Sequence, residues 1–257
     1  MQPAVCLLAV VPMRKEPSHR SEMVSQLLFG EYVSMGERRE DFVLARCDYD
    51  GYEGWVQASQ LVVVNEVLDT DIYIGCWTSE VIINDLCQYI PMCSPVYVHE
   101  SNVVQFDSWK VRYLLKSGCL WSSTEHKQIT KEELEKIYDR FIYTPYLWGG
   151  KSVFGIDCSG FVQQVLKMFG VKLLRDAYLQ AEQGNKVEGL NSAALGDLAF
   201  FRNEKGRIIH VGILLENNRI VHASGRVRID TIDEDGIVNS ENGKRTHRLH
   251  SIRRLVE

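Results

Sequence analysis

Up to about residue 128, apolar positions fall in short runs that alternate with polar ones or stay continuous for a few residues. The runs lie at 5–11, 32–35, 42–47, 54–56, 61–64, 81–83, 96–99 and 111–115. Turn residues separate them, with Asp50-Gly51 and Ser117-Gly118 as hairpin-type signals. Many short strands at this spacing predict small β barrels or sandwiches. Two such units fit, 1–64 and 65–128. The period then changes. Thr130-Lys131-Glu132-Glu133 has the form of a capping box, and Leu134, Ile137, Tyr138 and Phe141 follow at helical spacing. A helix opening a third domain, 129–257, is expected, closed by Thr144-Pro145. Phe161, Val162, Val165, Leu166 and Phe169 give a second helix an apolar face, with Gly170 placed as its C-terminal cap. Strands are predicted at 198–201, 208–215, 219–223, 226–229 and 249–253. Helices followed by antiparallel strands make an α+β pattern.

Composition narrows the function classes without selecting one. The 257 residues are 45% hydrophobic and 25% charged, with a formal net charge of −5. That balance gives no reason to expect nucleic acid or an anionic membrane as partner. No run approaches the roughly 20 apolar residues of a membrane span, and residues 4–11 read as a buried strand rather than a leader. If residue 1 is the native start, the expected location is the cytoplasm. Seven cysteines lie scattered, none in a C-x-x-C pair, which fits a reducing compartment better than a disulfide framework. No phosphate-binding glycine motif is present, so no nucleotide cofactor is implied. His247-Arg248-Leu249-His250 has a metal-ligand spacing but no neighbouring carboxylate, and reads as a solvated strand.

The candidate chemistry centres on Cys158, between a glycine-rich stretch and the second helix. A thiol at a helix N-terminus is biased toward thiolate, and the free N–H groups there can hold a developing oxyanion. Two histidines follow, His210 in Ile208-Ile209-His210-Val211-Gly212 and His222 in Val221-His222-Ala223. Their geometry depends on the hairpin between them. If the turn centres on Asn217, position 212 faces 222 and the two histidines are diagonal neighbours on one face. If it centres between Asn217 and Asn218, they point to opposite faces. A Cys–His–His triad therefore requires an odd-length connection or a bulge.

Residues from about 130 to 230 resemble the NlpC/P60 family of papain-like cysteine peptidases. The matching elements are Tyr146-Leu147-Trp148-Gly149-Gly150, Asp157-Cys158-Ser159-Gly160-Phe161-Val162-Gln163, Leu174-Arg175-Asp176-Ala177, Gly196-Asp197-Leu198 and His210-Val211-Gly212-Ile213 with Val221-His222-Ala223. Leu174 stands where the family often has proline. The resemblance implies Cys158 as nucleophile, His210 as base and His222 as the orienting member. It also implies two N-terminal SH3-like modules and a substrate of murein-derived peptide, cut between D-γ-glutamate and a diamino acid beside a free N-terminal L-Ala. Asp157, Ser159 and Asp176 match its substrate positions. Glu22 and Tyr52 are candidates from the first module, and Trp148 for lining the cleft. Lys151 and Arg175 are read as solvated surface cations or as partners for substrate carboxylates. A monomer without metal or cofactor is expected.

Overall fold

A computed structural model describes residues 2–97, 102–115, 118–126 and 128–256. The chain divides into two units, Met1–Thr124 with Trp148–Val153, and Glu125–Leu147 with Phe154–Glu257.

The first unit holds two β modules. In the first, seven antiparallel strands run in the order Met23–Leu28, Val10–Arg14, Glu53–Gln57, Phe42–Cys47, Tyr32–Arg39, Gln2–Val5, Val62–Val63. Val11, Leu27, Val33, Val43 and Val56 fill its core. The run at 5–11 is two strands rather than one. Cys6 donates its backbone N–H to Glu31 and accepts from Gly30, and these bonds turn the chain between Val5 and Val10. The second module pairs Leu86–Pro91, Thr78–Ile83, Trp109–Leu114 and Val103–Phe106 in that order, beside a ladder of Ile72–Ile74 with Leu120–Ser122. Its core is continuous with side chains of the first module: Phe29 and Tyr32 pack with Ile74, Tyr97 and Tyr113. Tyr97 also donates its hydroxyl to the Gly30 carbonyl at 2.9 Å. Shared apolar burial makes the two modules one unit. Val98 and His99 of the strand expected at 96–99, and Ser117 of the Ser117-Gly118 turn, lie outside the described residues.

Cys76 and Cys119 form a disulfide that closes a 43-residue separation, where the scattered spacing had fitted a reducing compartment better than a disulfide framework. Sequence spacing gave no hint, because the two residues meet only once the Ile72–Ile74 and Leu120–Ser122 strands pair. Residues Trp148–Val153 also belong to the first unit. Lys151 is 1% exposed, and its ammonium lies 3.1 Å from the Glu31 carboxylate. Its backbone N–H donates to Gln26 at 2.8 Å. Gly149 has φ +74, and a Cβ there would sit 2.5 Å from the Met23 carbonyl oxygen, so only glycine fits. The reading of Lys151 as a surface cation is thereby corrected.

In the second unit, helix α1 spans Lys131–Tyr138. The Thr130 hydroxyl accepts the Glu133 N–H as expected, but Glu133 bonds His126 at 2.6 Å instead of reaching back to the Thr130 backbone. The helix stops short of Phe141, which lies in the following turns. Helix α2 spans Cys158–Lys167 and ends at Gly170, φ +73. The short α3 spans Ala177–Gln180. The sheet order is Asn185–Val187, Arg245–Arg254, Leu198–Arg202, Ile208–Leu215, Arg219–Ser224, Arg226–Asp233, Gly236–Val238. Gly236–Val238 pairs in turn with Arg245–Arg254, so the sheet closes on itself. Gly236 permits that closure. At φ +136, a Cβ would meet the His247 carbonyl oxygen at 1.8 Å.

Candidate functional site

The hairpin register settles the question left open by the sequence. Ile213 faces Val221, Leu214 faces Ile220 and Leu215 faces Arg219, so the turn centres on Asn217. Asn217 and Asn218 take the left-handed conformation, φ 58 and 52, which asparagine tolerates. Position 212 then lies across from His222, and glycine there is a matter of space: a Cβ would come within 2.9 Å of the His222 Cβ. His210 and His222 share a face, as the diagonal register requires, and His210 Nε2 lies 2.8 Å from His222 Nδ1. Both rings are buried.

Because the sheet closes, further side chains meet this pair. Asp230 lies opposite Ile220 in register, which puts its side chain on the face that carries His222. Its Oδ2 lies 3.1 Å from His222 Nε2. Its Oδ1 accepts from Arg228 and from the Ser240 backbone N–H, each at 2.9 Å. Burial alone would raise this carboxyl; bonds from His222, Ser240 and Arg228 outweigh it and hold it below the ordinary range. His247 stacks on His210 from the Arg245–Arg254 strand. The reading of His247 as part of a solvated strand is corrected: burial, then His222, push its imidazole down to about 4. His210 is pushed well below its usual 6.5 by burial, with His222 and His247 adding to it. Neither Asp230 nor His247 was assigned a role from sequence. The alternation of 226–229 has its apolar positions at Val227 and Ile229, out of phase with Asp230, so the sequence pattern does not mark Asp230 as interior.

Cys158 begins α2 and is buried. Burial and then the Asp157 charge push the thiol up to about 12, against a smaller lowering effect from the Val211 and Ser159 backbone and from Arg175. The expected thiolate bias of the helix start is outweighed by desolvation. At neutral pH the Cys158 thiol and the His210 imidazole are therefore both uncharged. Asp157 caps α2, accepting the Gly160 N–H at 2.6 Å. Arg175 grips the same carboxylate through two nitrogens, at 3.0 and 2.6 Å, and donates to the Ser159 hydroxyl at 2.9 Å. Arg175 is 1% exposed, so it is an internal clamp rather than a surface cation. Asp157 and Ser159, predicted as substrate positions, are thus tied into the frame that fixes Cys158. Asp176 precedes α3 and makes no side-chain cap to it. Tyr146, quoted in the motif but given no role, is half-buried, and its hydroxyl is raised by burial and by Cys158 and Asp157 nearby. Backbone bonds to Gly225 and from Leu147 to Ile156 hold that segment.

The other predicted residues lie in the first unit. Trp148 is 60% exposed and donates its indole N–H to Glu22 at 2.8 Å, and Lys15 lies 3.4 Å from the same carboxylate. Tyr52 is half-buried after the Asp50-Gly51 turn, its backbone N–H donating to the Asp50 carboxylate at 3.0 Å. No helix among the described residues is long and apolar enough to cross a membrane.

Comparison with known proteins places this geometry. Residues 143–245 match the NlpC/P60 family, and residues 13–61 match the bacterial dipeptidyl-peptidase SH3 domain. The chain carries an NlpC/P60 peptidase domain and a bacterial dipeptidyl-peptidase SH3 domain. A γ-D-glutamyl-L-lysine dipeptidyl-peptidase of Bacillus subtilis is 29% identical over 77% of this chain and 71% of its own. Dipeptidyl-peptidase 6 of Lysinibacillus sphaericus is 28% identical over 90% of this chain and 92% of its own. The fold matches the crystal structure of an NlpC/P60 family protein from Bacillus cereus across the full length of both chains, with TM-score 0.83 at 18% identity. The α+β NlpC/P60 architecture with SH3-like modules ahead of it is the one expected, and the matched domain is consistent with cysteine peptidase activity.

Proposed function

We propose that the NlpC/P60 domain hydrolyses the amide bond between D-γ-glutamate and a diamino acid in murein-derived peptides that carry a free N-terminal L-Ala. Cys158 serves as nucleophile, His210 as base and His222 as orienting residue. The observation that carries this reading is the buried His210 Nε2–His222 Nδ1 bond of 2.8 Å, in the same unit as the helix that opens at Cys158. That bond uses Nε2, so Nδ1 is the His210 nitrogen that acts on the thiol. The relatives' names support the substrate class.

In the reaction, the Cys158 sulfur attacks the amide carbonyl as its proton passes to His210 Nδ1. Backbone N–H groups at the start of α2 stabilise the oxyanion. The imidazolium gives its proton to the leaving amine, and the thioester remains. Water, deprotonated by His210, then releases the acid and restores the thiol. With thiol and imidazole both neutral at rest, the proton moves during attack rather than before it.

The test incubates the full chain with L-Ala-γ-D-Glu-L-Lys and with its N-acetylated form, followed by mass spectrometry. We expect cleavage of the free peptide, none after Cys158→Ala, and little of the acetylated form. Equal cleavage of both would remove the free-amine requirement.

A second reading, action on intact wall peptides outside the cell rather than recycling in the cytoplasm, is favoured by the Cys76–Cys119 disulfide, since such bonds persist in oxidising compartments. Trapping thiols in intact cells with a membrane-permeant alkylating agent separates the two. A trapped Cys76 supports the cytoplasm, and a protected one supports export.

A further inference from the structure

Asp230 receives three bonds, and their directions are fixed by chemistry. A carboxylate only accepts, so His222 Nε2 must carry the proton in its 3.1 Å contact with Oδ2. A neutral His222 then has a bare Nδ1, which accepts from His210 Nε2 at 2.8 Å. A neutral His210 with its proton on Nε2 has a bare Nδ1. We propose that Asp230 is a positioning residue that sets the protons along this chain, so that His210 keeps Nδ1 unprotonated for the Cys158 thiol. The inference rests on the roles proposed for Cys158 and His210 and extends them by one residue. It gives the triad the carboxylate that a Cys–His–His set lacks, delivered through His222.

The surroundings make this unusually testable. Oδ1 of Asp230 is held by two donors, the Arg228 guanidinium and the Ser240 backbone N–H. In Asp230→Asn the amide oxygen must stay on that side, because the amide nitrogen would meet both donors head-on. The nitrogen therefore faces His222 Nε2, which must give up its proton to accept. His222 Nδ1 becomes the donor, His210 Nε2 the acceptor, and the His210 proton moves to Nδ1, where it blocks the thiol. Asp230→Ala imposes no such inversion, since it leaves both rings able to exchange tautomers. Arg228 keeps Glu241 at 3.0 Å in either variant.

The nearly isosteric variant should thus be the worse enzyme. A wrong-tautomer substitution lowers kcat by on the order of 10⁴-fold where an orienting carboxylate is replaced by an amide, so Asp230→Asn is expected at least about tenfold below Asp230→Ala. A structural role predicts the opposite order, because Asn preserves volume and bonds. The second readout needs no turnover: long-range ¹H–¹⁵N correlation of histidine-labelled protein. It is run near pH 8, above the ordinary imidazole range of about 6.5. The charged and titratable groups around the pair are His247, Asp230, Arg228, Cys158, Asp157 and Arg175, and each is present in the resting wild type measured. His210 should show a protonated Nε2 and a bare Nδ1 in the wild type, reversed in Asp230→Asn. A wild-type His210 protonated on Nδ1, or Asp230→Ala as poor as Asp230→Asn, overturns the proposal. Absence of peptide cleavage by the wild type would instead remove the proposed function while leaving the tautomer result standing.

Discussion

His247 stacks on His210, with ring centroids 4.1 Å apart and planes inclined by 22°. Two imidazoles at that separation oppose each other's protonation, and His222 lies against both. Burial first, and the His222 and His247 rings after it, hold the His210 imidazole well below its usual 6.5.

One consequence is a coupled acid limb. His247→Phe retains a flat ring but removes the charge that a protonated His247 would present. His210 should then bind a proton more readily, and the acid limb of kcat/KM should move to higher pH. An unchanged limb would show that the stack carries no coupling. The same residues set acid stability. Both histidines fold with pKa values below the unfolded 6.5, so below that pH the unfolded chain binds more protons. Stability is full above about 6.5 and falls as pH drops toward about 4, the His247 value, with His210, also lowered, adding to the loss. Urea midpoints between pH 7 and pH 4 should show this decline, and His247→Phe should flatten its upper part.

A second expectation concerns thiol reactivity. Cys87 is exposed, whereas burial holds Cys6, Cys47 and Cys158 at about 12. At neutral pH iodoacetamide should label Cys87 first and Cys158 slowly, with the Cys158 rate climbing as pH rises. Peptide mapping after timed labelling reads the order, and Cys158 ahead of Cys87 at pH 7 would contradict it.

A third expectation concerns the buried Lys151–Glu31 pair. Lys151→Ala leaves the Glu31 carboxylate buried without the ammonium, at a cost of about 3–5 kcal/mol. Lys151→Met with Glu31→Gln should recover much of that loss, because neither neutral side chain requires a counter-ion. Denaturant unfolding of the two variants and the wild type gives the comparison.

The elements around Cys158 were legible because their signals are local. The helix opening at Cys158, its glycine cap and the strand at 208–215 follow from periodicity and turn chemistry alone. The His210–His222 contact was legible only as a conditional, since one residue of turn length reverses the face. Asn84 and Asp85, with φ 45 and 67, turn the Thr78–Ile83 strand into Leu86–Pro91, a hairpin signal present in the sequence but not used. The burial of Arg175 and Lys151 could not be read, because long cations are buried only where a distant carboxylate meets them. The same holds for Asp230, His247 and the Cys76–Cys119 bond, each made by strands far apart in sequence that the sheet brings together.

Residues Trp148–Val153 interrupt the NlpC/P60 segment in chain order while packing with Glu31, Gln26 and Met23. Recombination at a single linker could not exchange this peptidase segment as a cassette. A graft beginning at residue 129 would carry the Lys151 loop away from the side chains that bury it. Glu31, Gln26 and the backbone of Met23 must therefore accompany the loop in any functional chimera, which ties the history of the first β module to that of the enzyme it precedes.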